Sequence, residues 1–446
     1  MNSIIPTAAA LIAYNVGFGD CILLRVTYSD DSRRHVLFDF GSTAMPETLE
    51  PPARANRKRA APRDLEEVAN RISDDCGGSL DVVVVTHRHR DHISGFAGKP
   101  GKVMAGLQPK LVLQPWTEDP VIPEDATGRP SKGSPSSERG MRLGDVRLGL
   151  HQMELAAEQV VAVVSQMEAR KGVSRTVRRQ IEALGMNNIK NREAVENIQK
   201  LSGQHRYLAF GDILDVSTLL PGVTIDVLGP PTLDQSSEVA KMAEVDPVEF
   251  WHLAATRPRS AQSKAGRLFP RVEPMTTPPQ EARWVIPKID SMRAEELLSL
   301  VRIMDSVLNN TSLILYLTIG KARLLFPGDA QLENWRYALQ SAPNSNEILE
   351  TLAQTTVYKV GHHGSLNATP RRMLWENFAR RGKPGASDRL ITVLSTRAKM
   401  HGSEERSTEV PRKTLVAELQ AASTLVNTQD CTPTTQWWRE VEIPIN

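Results

Sequence analysis

The sequence predicts a mixed α/β fold. Three stretches predict it: an apolar meander that opens the chain, a run of four valines at 82–85, and a last block from 310 to 422 in which short apolar strands alternate with turns and close on a helix. With 446 residues, the chain can bury one large core or two ordinary ones.

Taken in order, residues 8–16, 21–28 and 35–40 alternate or run apolar and read as strands. Val16-Gly17-Phe18-Gly19-Asp20 joins the first two, with glycines that allow a tight reversal, and the polar stretch Asp30 to Arg34 leads into the third. That strand ends in Phe38-Asp39-Phe40-Gly41-Ser42, which leaves Asp39 at a strand end, as an ordinary turn carboxylate or as part of a site. Residues 44–63 read as a loop. Its basic run, Arg54, Arg57, Lys58, Arg59 and Arg63, fits a solvated surface or a phosphate-contacting edge. Asp64 to Ile72 has helical spacing, with Asp64 as N-cap, and Gly77-Gly78 ends it.

The valines then run into Thr86. After His92 the chain reads as a helix start or a crossing loop, and Leu111 to Gln114 as another strand. Residues 117–140 are rich in Pro, Gly, Ser and charge and read as a long loop. Apolar residues at near-helical spacing over 141–201 predict two or three helices. Strand character returns at 211–214 and 222–228, and residues 232–307 form a second insertion with a helical segment near 293–307. Asn310 to Thr318 and Lys321 to Phe326 read as a hairpin turning at Ile319-Gly320. Strands follow at Val357 to Val360 and Leu390 to Ser395, and a helix spans about Pro411 to Ala422.

The chemistry concentrates at strand ends. His87-Arg88-His89-Arg90-Asp91-His92 follows the valine strand directly, and three of the ten histidines in the chain fall in this hexapeptide, which argues against chance. Imidazoles beside a carboxylate suit zinc, iron or manganese and a hydrolytic centre. His87 and His89, two apart, can face one ion, while Asp91 and His92 reach a second. Two further strands end in candidate ligands: Asp329 in Pro327-Gly328-Asp329-Ala330, and His362 and His363 in Gly361-His362-His363-Gly364-Ser365. A carboxylate such as Asp329 can bridge two ions ~3.5–4 Å apart.

The order of these motifs resembles the metallo-β-lactamase superfamily over most of the chain outside the insertions. The likeness is nearer to one branch: Val16-Gly17-Phe18-Gly19-Asp20-Cys21, Asn310-Thr311-Ser312, Lys359-Val360-Gly361-His362-His363-Gly364-Ser365 and His401-Gly402 resemble the hydrolase domain of ComEC-type competence proteins, in its stand-alone form. The resemblance implies a four-layer αββα sandwich as one domain over 1–446, with a helical insertion at 117–205, as a cap or a peripheral helical pair, and a second at 232–307. It implies two divalent ions (zinc or manganese), or one, held by His87, His89, Asp91, His92, Asp329, His362 and His363, with Asp39 orienting the ligands from behind. Asp91 would orient or deprotonate the attacking water, whose pKa an ion lowers towards ~7, and Lys359 or His401 would neutralise developing charge or protonate the leaving oxygen. One of the two adjacent histidines, and Ser365, would touch the substrate. Many relatives carry a further metal-binding histidine where this chain has Gly229-Pro230-Pro231; His401 or His205 are the candidate substitutes.

The expected function is therefore hydrolysis of phosphodiester bonds, as a ComEC-like nuclease. The alternatives are a hydrolase of a small ester, lactone or phosphodiester, and a non-catalytic subunit with a structural site, or a partner-controlled effector of a bacterial conflict or defence system, bound through the insertions. Composition narrows the setting. Fifty-four basic and 52 acidic residues leave a net charge of +2, which does not advertise nucleic-acid binding as a whole-surface property. Three scattered cysteines form neither a disulfide framework nor a thiolate zinc site, which fits a reducing cytoplasm. Met1 to Ala10 lacks a basic region followed by a long apolar core, and no segment approaches the ~20 apolar residues of a membrane span.

Overall fold

The computed structural model describes residues 4–46, 64–120, 192–201, 204–232, 234–236, 308–367, 369–382, 385, 388–402, 404, 409–431 and 437–445. Among these residues the chain forms two seven-stranded mixed sheets and seven α-helices.

Both sheets follow one plan. The first contains β1 (Pro6–Tyr14), β2 (Cys21–Tyr28), β3 (Arg33–Phe40), β4 (Val82–Val84), β5 (Leu111–Pro115), β6 (His205–Leu208) and β14 (Trp438–Ile443). Its spatial order is β14-β1-β2-β3-β4-β5-β6, antiparallel up to β3 and parallel from β3 to β6. The second contains β7 (Ile213–Leu214), β8 (Val223–Gly229), β9 (Ile314–Ile319), β10 (Ala322–Phe326), β11 (Val357–Lys359), β12 (Ile391–Leu394) and β13 (Thr424–Asn427). Here β7 to β10 run antiparallel and β10 to β13 parallel. Short parallel strands buried on both faces explain the Val and Leu runs that made them legible.

The helices are α1 (Leu65–Asp75), α2 (Arg90–Ile93), α3 (Gly98–Gly106), α4 (Arg192–Gln199), α5 (Leu332–Arg336), α6 (Ser345–Ala353) and α7 (Lys413–Ala422). Alternation along a strand divides its side chains between two cores. On β1, Ala9, Leu11 and Ala13 join a cluster shared by both sheets, while Ile12 and Tyr14 join a cluster with α1, α3 and α4. A third cluster packs Tyr316, Leu325 and Tyr358 of the second sheet against Trp335, Ile348, Leu352 and Leu419 from the helical segments. In the shared cluster Phe38 and Phe326 stack at 3.9 Å and 7° across the two sheets.

Several expectations shift. Asp64 caps α1 as read, accepting from the Glu67 amide at 3.0 Å. The hairpin turns at Gly320-Lys321, not Ile319-Gly320, because Ile319 pairs with Ala322. Gly320 sits at φ +55, and a Cβ there would lie 2.1 Å from the Ile445 carbonyl oxygen, so glycine is required. Three strands were not anticipated: β6, β13 and β14. β14 returns from the far end of the chain to pair Trp438 with Tyr14 on β1. The expected helices over 141–201 are described only at α4; residues 121–191, 202–203, 233 and 237–307 of the two insertions, with the basic run 54–63, lie outside the described residues. No helix among the described residues is long and apolar enough to cross a membrane.

Replacing Phe326 by alanine removes half of the stacked pair between the sheets and should cost about 3–5 kcal/mol. Changing the fully exposed Ile213 to serine should move stability by less than about 0.5 kcal/mol. Urea unfolding of both variants checks the contrast; equal losses would place the core elsewhere.

Candidate metal centre

The candidate ligands gather where the carboxyl ends of the parallel strands meet, the edge at which open α/β sheets place ligands. Asp39 ends β3, His87 to His92 follow β4, Asp329 follows β10, and His362 and His363 follow β11. The two sheets are stitched together at this edge. The Leu313 amide donates to the Thr86 carbonyl at 2.9 Å. Gly328, at φ +55, lets the backbone before Asp329 close on Thr86: an added Cβ would stand 2.8 Å from the Thr86 side chain. The Asp329 amide donates to the Ser312 hydroxyl at 3.2 Å, which gives Asn310-Thr311-Ser312 a role in setting that turn. His362 and His363 both hold left-handed backbone, at φ 42 and 50. Non-glycine residues there cost about 1–3 kcal/mol each, and such strain concentrates at working sites.

Four of the seven expected ligands converge. Asp91, His92, Asp329 and His363 are buried and bring their ligand atoms within 4.8 Å of one another. His92 Nε2 lies 3.9 Å from Asp91 Oδ1 and 3.1 Å from Asp329 Oδ2; His363 Nε2 lies 3.1 Å from Asp91 Oδ2 and 3.8 Å from Asp329 Oδ2. An ion with ~2.0–2.1 Å bonds in tetrahedral geometry needs ligand atoms roughly 3.3–3.5 Å apart, and these spacings straddle that range. Asp91 Oδ1, His92 Nε2 and Asp329 Oδ1 are buried without a hydrogen-bond partner, which is the state expected of atoms that serve an ion. The residues therefore fit a divalent metal.

Both imidazoles are held from behind. His92 Nδ1 lies 2.8 Å from Asp39 Oδ2, and His363 Nδ1 lies 3.0 Å from the Ser395 carbonyl. Each contact makes Nδ1 the donor and turns the Nε2 lone pair towards the quartet. Asp39 is itself fixed by the Thr86 amide and hydroxyl, both at 2.7 Å.

Burial alone would lower both imidazoles and raise both carboxyls of the quartet. The mutual charges win. Asp329, Asp39 and Asp91 hold His92 well above the ordinary imidazole range, and Asp329, Asp20 and Asp91 raise His363. In return His92 and His363 keep Asp91 and Asp329 below the usual carboxylate range.

The other expected residues are placed differently. His87 Nε2 and His89 Nδ1 sit 3.0 Å apart, both rings buried, and neither joins a set of three converging ligand atoms among the described residues. His362 is the partly exposed member of its pair: Nε2 is 3.8 Å from Asp329 Oδ2, and Nδ1 is held by the Ser365 hydroxyl at 2.9 Å. His401 packs on Phe18 at 4.4 Å, and Phe18 packs in turn on His363 at 4.5 Å. Burial lowers His401 to about 4, so at neutral pH it offers a hydrogen bond and not the charge expected of it. His205 lies on β6 beside Gln114, at 3.3 Å, and takes no part in the cluster. The Pro231 carbonyl accepts from the Trp116 indole at 3.2 Å.

Lys359 ends β11. It is buried and ion-paired with Asp20. Asp20 was read only as part of the glycine-turn motif; its place in the site was missed, because its partner Lys359 lies more than 300 residues away. The structure seats it under the site: its amide donates to the Asp91 carbonyl at 3.0 Å, and the preceding Gly19 carbonyl accepts from Ser395 Oγ at 2.6 Å. No protein-family model matches the chain, and no curated protein matches it.

An ion needs neutral imidazoles, so binding must displace protons from His92 and His363. Both are raised, so metal affinity should fall as pH falls, and binding at pH 7 should release protons. Titration calorimetry in buffers of different ionisation enthalpy measures that release; heats independent of buffer would contradict it.

Proposed function

We propose that this chain is a metal-dependent phosphodiesterase of metallo-β-lactamase architecture, acting as a nuclease. The observation that carries the reading is the quartet Asp91, His92, Asp329 and His363, drawn from both sheets and buried at their shared edge. Three cores in sequence, helices on sheet, sheet on sheet and sheet on helices, support the four-layer αββα reading of the fold. The ComEC-like motifs support a phosphodiester as substrate, since they supply the residues that set the site: Asp20 from the glycine turn, Ser312 beside Asp329, and Lys359 to Ser365 after β11.

Asp91, His92, Asp329 and His363 would hold the ion, which supplies electrophilic activation of water and of a phosphoryl oxygen. Asp39 and the Ser395 carbonyl keep the two imidazoles aimed. His362, braced by Ser365, presents the imidazole that a substrate phosphate reaches from solvent. It would pass a proton to the leaving oxygen. His401, neutral at pH 7, would offer a substrate a hydrogen bond beside Phe18.

The test is cleavage of single- and double-stranded DNA, RNA and bis(p-nitrophenyl) phosphate by purified protein across a manganese, zinc and cobalt panel. Cleavage of a phosphodiester should depend on the ion. Asp91→Ala or His363→Ala should remove it, and Asp39→Ala should weaken metal affinity or activity about 10–100-fold. Turnover of a lactone or thioester with no phosphodiester cleaved under any ion would overturn the substrate class.

A further inference from the structure

A second set of buried ligand atoms stands behind the quartet. Asp20, Asp39 and His92 also lie within 4.8 Å of one another. Counted as residues alone, this set would pass for another metal site. Apart from Asp20 Oδ1, its atoms are already engaged. Asp39 Oδ2 faces His92 Nδ1 at 2.8 Å and Thr86 Oγ1 at 2.7 Å, while Asp39 Oδ1 takes the Thr86 amide at 2.7 Å. Asp20 Oδ2 is ion-paired with the Lys359 ammonium.

The lysine is unusual in where it ends. Its side chain is 4% exposed, and Nζ lies 3.9 Å from Asp329 Oδ1 as well as against Asp20. Asp20 immediately precedes β2 of the first sheet and Lys359 ends β11 of the second, so the pair spans the seam between them. A buried ammonium is seldom better for stability than an apolar side chain of similar volume, so its presence calls for a role beyond packing. Asp329 gives the direction. Its Oδ2 faces His92 and His363 of the quartet, and its Oδ1 faces Lys359.

We infer that Lys359 is a resident cation: its ammonium, against Asp20 Oδ2 and 3.9 Å from Asp329 Oδ1, fills the place where a second ion would sit between those two carboxylates, so the centre takes one divalent ion, in the quartet. The inference rests on the metal-centre reading. Asp329 then stands between an ion on one side and a side-chain ammonium on the other, in place of the two ions that the sequence led one to expect. A fixed cation at that place does two things. It offsets carboxylate charge that one ion leaves uncompensated, and it holds Asp329 in a single orientation. Lys359 is thus a positioning residue that acts through Asp329.

The probe is manganese(II) alone, with the full chain, by equilibrium dialysis and elemental analysis. Wild type should take about one ion per chain, Lys359→Arg about one, and Lys359→Ala about two, because the freed carboxylates now form a second site. The double variant Asp20→Asn/Lys359→Met removes both charges and keeps the seam filled if Lys359→Ala does not fold. It should take about one ion, and its cobalt(II) absorption spectrum should differ from wild type because Asp329 has lost its clamp. Wild type taking two ions overturns the inference, as does Lys359→Ala holding at one, or a double variant with the wild-type cobalt spectrum. Wild type taking no ion removes the metal centre itself, so the two failures are told apart by the wild-type measurement.

Discussion

Four carboxylates buried at one seam are the constraint on which this fold depends. Asp20, Asp39 and Asp91 come from the first sheet and Asp329 from the second, each 2% exposed or less. A lone charge in such a place is untenable; it must be paired, neutralised or bound to a metal. The chain answers each one. Asp39 receives Thr86 and His92, Asp91 receives His363, Asp20 receives Lys359, and Asp329 lies between His92 and the lysine. Three of these compensations cross from one sheet to the other: His363 to Asp91, Lys359 to Asp20 and His92 to Asp329. The electrostatics that make the site also register the two halves against each other.

The backbone is shaped to allow this. Each sheet turns from antiparallel to parallel at its middle, so the parallel ends of both deliver their loops to the same edge. Glycine appears where that edge would otherwise be too tight. Gly19 sits where a Cβ would meet the Gly41 and Asp91 carbonyl oxygens at 2.2 and 2.7 Å, and Gly328 sits against Thr86. The adjacent His362 and His363 accept left-handed backbone so that one imidazole enters the quartet and the other stays at the mouth.

Much of this was legible in the sequence, and the boundary has a physical basis. Strands such as Val82–Val84 and Ala322–Phe326 announce themselves because both faces are buried, so the run is apolar. Histidine is rare in the chain, so its clustering after a strand carried information. β14 was not legible, since Trp438–Ile443 alternates with half-exposed polar residues and is defined by pairing with a strand more than 400 residues away. The role of Asp20 was hidden for a similar reason: its partner, Lys359, lies on the other sheet. The sequence also could not rank the histidines. Whether His87 and His89 or His92 and His363 surround Asp329 depends on how the one-turn helix Arg90–Ile93 aims its side chains.

The central claim is that one divalent ion is held by residues of both sheets. Crystals grown with manganese and measured near its absorption edge test it most directly. An anomalous peak within about 2.0–2.3 Å of Asp91, His92, Asp329 and His363 is the result this account predicts. A peak on His87 and His89 instead, or no peak at the seam at full manganese occupancy elsewhere, would contradict it.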